Sequence, residues 1–230
     1  MRDQRGYTFI ELIVSIGMAM VVLTAVFALT SSVLHHQDRI ARRVDSNSRG
    51  RPVMTRIIQG LHSACVTSHI VPVRTGSTGT SIDFLSKAGS APGLVPDMHR
   101  ITYSGGTLNE TIFRANGTTP PDWGGFTTAI SGPTPLLTNV AAPGGVVFRY
   151  YAFANGALSA TPLPTPLSDT NAALTSYVTV SFLSQPGRID GSRVGVNTQD
   201  PNSPLVMNSG VDLRLENAGQ YPNQDNLPCV

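Results

Sequence analysis

One stretch near the amino terminus limits this chain more than any other. From Ile13 to Leu34 it carries no charge, and a single carboxylate, Glu11, stands just ahead of that run. Arg2, Arg5 and Gly6 precede both. An apolar segment of about 20 residues is long enough to cross a bilayer as a helix. A carboxylate drawn into such a segment costs about 3 kcal/mol or more near the bilayer centre, so it points to a dedicated partner. Glu11 follows Tyr7 by four positions, which on a helix places the two on one face about a turn apart. Cutting the chain after Gly6 would give Tyr7 a new α-ammonium. A glutamate at this spacing can reach such an ammonium, its own or a neighbouring subunit's.

Simpler targeting signals fit less well. A secretory signal peptide has an apolar core of roughly 7–15 residues before a small-residue cleavage site. This run is longer, and its acid is at the wrong end. A lipoprotein signal needs a cysteine just after the apolar core, whereas the first cysteine is Cys65. A plain signal anchor explains the apolar run and leaves Glu11 unexplained.

The run Arg5-Gly6-Tyr7-Thr8-Phe9-Ile10-Glu11-Leu12 resembles the class III signal of type IV pilins and type II secretion pseudopilins. The resemblance implies cleavage by a prepilin peptidase between Gly6 and Tyr7, and N-methylation of Tyr7. That family usually has phenylalanine first in its mature chain, and Tyr7 keeps the aromatic ring. Glu11 takes the place of the family's glutamate, with filament registry as its role. The partners implied are other pilins or pseudopilins, an inner-membrane platform protein and an assembly ATPase, with the membrane itself. The fold implied is α+β and pilin-like: a long N-terminal helix, membrane-spanning in its first half, packed on an antiparallel β-sheet head.

The organisation expected is a leader at 1–6, a transmembrane and filament-core helix at 7–34, an amphipathic continuation at 35–64 and a β-rich head at 65–230. Arg2 and Arg5 keep the leader cytoplasmic by the positive-inside rule and send the head across the membrane. Arg39, Arg42 and Arg43 lie beyond the run and oppose that rule slightly. The 230 residues carry a formal net charge of +2, with 13% charged residues, a balance that does not mark a nucleic-acid protein. Gly 22 and Pro 17 favour turns and short strands in the head.

Ile40, Val44, Met54, Ile57, Ile58, Leu61 and Ala64 fall near helical spacing and predict an apolar stripe laid on a sheet. Gly50 and Pro52 predict a bend or short break within Asn47–Pro52, with helix resuming to about Ser63. Strands are expected at Ser81–Leu85, His99–Ser104, Thr107–Ala115, Val146–Ala154, Ser176–Leu183 and Ser209–Glu216. Tyr103 to Leu108, with Gly105-Gly106 at its centre, reads as a tight hairpin. Val178, Val180 and Phe182 alternate with Tyr177, Thr179 and Ser181, and Val211, Leu213 and Leu215 alternate with Asp212, Arg214 and Glu216, each with the period of a half-buried strand. Gly117–Pro135 and Gly187–Pro204 read as long surface loops, and Pro162–Pro166 as an extended one.

No catalytic constellation emerges. There is no Gly-x-Ser-x-Gly elbow, P-loop or dinucleotide fingerprint, so a non-enzymatic role without a cofactor is expected. His35, His36, His62, His69 and His99 lack partners at zinc-ligand spacing, and Asp190, Asp200, Asp212 and Asp225 lack an EF-hand pattern. No metal is expected. Cys65 and Cys229 are the only cysteines, and in an oxidising space a bridge between them is expected. Arg49, Arg56 and Leu61-His62-Ser63-Ala64 resemble the J-type minor pseudopilins and W-type minor pilins. So does Tyr150-Tyr151 with the following Asn155-Gly156. That resemblance implies a minor subunit that initiates, caps or decorates a filament. Two other functions compete: a pilus-tip module binding DNA or a surface, and a membrane-anchored enzyme. Arg39 to Arg56 is the only basic stretch that DNA binding would use, and it reads more simply as the polar face of the helix or as lipid-headgroup contacts.

Overall fold

The structure is a computed structural model that describes residues 8–65, 71–86, 95–118, 123–154, 157–185 and 205–213. Two compact units divide between Val44 and Asp45. The chain is α+β: one long N-terminal helix is followed by antiparallel sheets, the pilin-like architecture expected.

Helix α1 runs from Phe9 to His62 without interruption, with Pro52 inside it. Of the bend or short break expected at Asn47–Pro52, a break is absent, and packing explains why. Ser46 and Gly50 are buried. The Ser46 carbonyl accepts a hydrogen bond from Ser184 Oγ at 2.9 Å. A Cβ on Gly50 would meet Met207 Cε at 2.8 Å and Ser184 Cβ at 2.9 Å. The glycine thus serves close approach to the sheet, and does not end the helix. Pro52 faces solvent, where water can bond the Ser48 carbonyl that the proline ring deprives of its donor.

The apolar stripe is shorter than its periodicity implied. Met54, Ile57 and Leu61 are buried, whereas Ile40 and Val44 are 62% and 60% exposed.

In the head, β1 (Ser81–Ser86), β2 (Asp97–Ser104), β3 (Thr107–Arg114) and β4 (Thr128–Thr138) form an antiparallel meander in that order. The β2–β3 turn has positive φ at Gly105 (55°) and Gly106 (75°), the geometry a two-residue hairpin needs to match strand twist. A second sheet centres on β8 (Thr175–Ser184). Along it lie β9 (Leu205–Asp212), β6 (Phe148–Ala154) and the short β5 (Val140–Ala141), and β7 (Ala157–Leu158) pairs with the end of β6. A short helix, α2 (Asp169–Leu174), precedes β8, and Ser168 Oγ caps it by accepting from Asn171 N–H at 3.2 Å.

β4 lies where a surface loop was expected. Pro133 and Pro135 and exposed side chains hide it from a strand pattern. It occupies the sheet edge, where a strand needs no donors on its outer side and proline is tolerated. The last strand begins four residues earlier than expected, because β9 pairs with β8 along the whole of Tyr177–Ser184. Met207 and Val211 are its buried residues. Leu215 and the loop at 187–204 fall outside the described residues.

One core cluster joins Met54, Ile57 and Leu61 of α1 to Ile82, Phe84, Ile101 and Leu108 of the meander. From the second sheet it takes in Phe148, Tyr150, Val178, Val180, Phe182 and Val211. A second cluster holds Cys65, Leu85, Met98 and Trp123. Alternation along β1 sends Ile82 and Phe84 to the first cluster and Leu85 to the second, so β1 is covered on both faces.

Candidate functional site

Gly6 and Tyr7 lie outside the described residues. The site begins for the structure at Thr8, whose carbonyl accepts from the N–H of Glu11 at 3.0 Å and of Leu12 at 3.2 Å. Helix α1 starts at Phe9, and Glu11 is the acid of its first turn. A carboxylate there is favoured by the positive end of the helix dipole. Thr8-x-x-Glu11 also has the residue types of a capping box, a second local reason for this acid at this place besides an ion pair. Glu11 is exposed, free to meet a partner outside the chain.

Behind it, Phe9–Val33 is the one helix among the described residues long and apolar enough to cross a membrane, with mean hydropathy 2.6 and none of its most apolar window buried. Three of its hydroxyls turn inward. Ser15 Oγ donates to the Leu12 carbonyl at 2.9 Å, and Thr24 and Thr30 Oγ1 donate to the carbonyls of Met20 and Val26 at 2.8 Å each. These three hydroxyl protons are therefore satisfied within the helix, as an apolar solvent demands. Gly17 has nothing within 4 Å of where a Cβ would stand, which leaves a notch on that surface. Small residues of this kind let helices approach closely.

The head contributes a polar cluster that sequence reasoning missed. Glu110 is buried on β3. Its Oε2 accepts from Arg56 Nη2 of α1 at 2.5 Å, and its Oε1 lies 2.9 Å from His99 Nδ1 of β2. The hydrogen bond from His99 is the main cause that holds the Glu110 carboxyl below its ordinary range; burial opposes it, and the attraction of Arg56 reinforces it. Nearby, Arg100 makes a two-pronged pair with Asp83 at 2.8 and 2.6 Å, and its guanidinium sits 5.0 Å from the Phe113 ring. The Asp83 hydrogen bond raises the Arg100 pKa further. The Tyr150 hydroxyl lies 2.9 Å from the Thr78 carbonyl and 3.1 Å from that of Ser81. Burial pushes its pKa above the ordinary tyrosine value. With both oxygens of Glu110 engaged, this cluster ties helix to sheet. A cleft of about 360 Å³ beside it is lined by Pro52, Val53, Arg56, Glu110, Ser131 and Leu136.

The remaining candidates are dispersed. His62 is exposed, and Asp212 is exposed on β9. His69, Asp190, Asp200 and Asp225 fall outside the described residues. Among the described residues no group of three potential metal ligands gathers. Cys65 is fully buried, its N–H bonded to the Leu85 carbonyl at 2.8 Å. No cysteine among the described residues is free, and Cys229 lies outside them.

Residues 1–27 match the family described as the prokaryotic N-terminal methylation motif. Comparisons with curated proteins and with solved structures found no match. The motif, followed by an exposed apolar helix, marks a precursor of the type IV pilin-like or pseudopilin kind.

Proposed function

We propose that this chain is a minor pilin or pseudopilin, a structural subunit that initiates, caps or decorates a type IV pilus or a type II secretion-type filament. A prepilin peptidase cuts between Gly6 and Tyr7 and methylates Tyr7. The helix then anchors the subunit in the membrane, with the leader cytoplasmic and the head outside. On assembly it packs among the helices of other pilins, under the action of a platform protein and an ATPase. The observation that carries this reading is the methylation motif at residues 1–27, continued by an apolar helix that the fold leaves uncovered.

The role is structural and non-catalytic. The J-type and W-type resemblance supports the minor class. A bridge between Cys65 and Cys229 belongs to the same proposal: Cys65 is not a free thiol, and the chain has one other cysteine.

Intact mass and N-terminal sequencing of the protein from its native membrane test the proposal. The expected chain begins at Tyr7 and carries one methyl group. A chain that begins at Met1, in cells with an active peptidase, overturns it.

A further inference from the structure

Helix α1 does not lose its exposed apolar residues where the membrane segment ends. Phe9–Val33 is the span, and Ile40 and Val44 remain largely exposed beyond it, one turn apart on one face. Between and beside them the helix carries Arg39, Arg42 and Arg43, against Asp38 and Asp45. Glu11 and Arg39 stand about 42 Å apart along the helix, at about 1.5 Å per residue. A bilayer including both headgroup layers is about 40–45 Å thick. With Glu11 at one headgroup layer, Arg39 therefore falls at the other, and Arg42 and Arg43 follow within one turn. Side chains on an α-helix lean toward its N-terminus, which here is the direction of the membrane. Arg43 is exposed. Three arginines against two aspartates leave this stretch net positive, and a guanidinium group is suited to two-pronged hydrogen bonds with phosphate.

We infer that Arg39, Arg42 and Arg43 form a contact for anionic phospholipid headgroups in the leaflet on the head's side, with Ile40 settling at the headgroup boundary. The contact fixes how deep the helix sits before assembly. It also opposes loss of the subunit into the leader's compartment once the leader arginines are gone. The inference rests on the reading of Phe9–Val33 as a membrane span.

The test uses the full chain in lipid nanodiscs of phosphatidylcholine with a minority of phosphatidylglycerol. The lipids that stay bound are counted by native mass spectrometry. Each arginine near an anionic surface is worth about a fivefold gain in local partition, so phosphatidylglycerol should be enriched severalfold over its share of the disc. The triple variant Arg39→Gln, Arg42→Gln, Arg43→Gln should lose the enrichment, as should high salt, whereas Arg51→Gln should keep it. Equal phosphatidylglycerol retention by the wild type and the triple variant, in a chain that has inserted, overturns the lipid contact alone. Failure to insert overturns the span and the contact together. A short DNA duplex that displaces the bound phosphatidylglycerol from the wild type, and binds it in lipid-free detergent more tightly than the triple variant, overturns the contact in favour of nucleic acid.

Discussion

Arg56 on the helix and Glu110 on the third strand meet at 2.5 Å, 54 residues apart in sequence. They are the charged tie between α1 and the meander. Arg56 is 62% exposed and Glu110 only 8% in their side chains, so the buried partner has more to lose when the pair is broken.

Glu110→Gln should lower stability at neutral pH by about 1–3 kcal/mol, because it weakens hydrogen bonds to one charged and one titratable partner. The variant should also change the pH profile. The folded pKa of Glu110 lies below its ordinary 4.5, so the unfolded chain takes up the proton more readily. The stability from this group is fully present above that ordinary value and is lost as pH falls through the lower folded one. Thermal melts of the full chain in detergent, from neutral to strongly acid pH, should show a steeper acid loss in the wild type than in Glu110→Gln. Parallel curves would remove Glu110 from the account.

Gly50→Ala sets two effects against each other. Helix propensity favours alanine by about 1 kcal/mol, whereas overpacking costs about 1–3 kcal/mol. The new Cβ would lie under 3.0 Å from both Met207 Cε and Ser184 Cβ. The methionine end can swing aside, but Ser184 Cβ is fixed to the backbone of β8. Gly50→Ala should thus lower the melting temperature slightly and Gly50→Val substantially. A rise for alanine would show that the sheet yields.

Glu11→Ala should leave cleavage after Gly6 largely intact and abolish entry of the subunit into filaments, as read by mass spectrometry of membranes and of sheared filaments. On the function proposed above, the peptidase acts on the leader, whereas the exposed carboxylate serves a partner in a medium where an unpaired ammonium is costly. Normal incorporation of the variant would remove the registry role.

Cys65→Ser and Cys229→Ser should each destabilise the chain by about 2–5 kcal/mol, and the double variant should lose little more than either alone. Thermal melts with and without reductant measure this. Additive losses would mean that the two thiols act separately.

The hairpin shows how much was legible in the sequence. Once Gly105 and Gly106 form the turn, Ser104 faces Thr107 and the whole β2–β3 register follows, with His99 opposite Ile112. Glu110 is then the diagonal neighbour of His99 on the same face. The His99–Glu110 contact is therefore implied by the turn, although the two residues do not stand at a metal-ligand spacing in sequence. Asp83 faces Arg100 across β1 and β2, but no turn signal joins those strands, so that pair was not legible. Gly50 and Pro52 misled because propensity speaks only of an isolated helix, and tertiary packing overrode it. β4 was hidden for the opposite reason: an edge strand obeys few rules that a central strand must follow. Val178, Val180 and Phe182, all fully buried, were plain from alternation alone, because a strand flanked on both sides has no freedom to be irregular.

Asn139 separates β4 from β5 with a positive φ of 58°, a conformation that asparagine tolerates better than most residues. Its carbonyl accepts from Gln185 at 3.0 Å, and the next residue's N–H bonds to Gly106 at 2.8 Å. One residue thus passes the chain from the first sheet to the second. A single residue gained or lost here would turn β5 inside out. The joint between the two sheets is therefore a place where the length of the chain is fixed by the faces of the strands on either side.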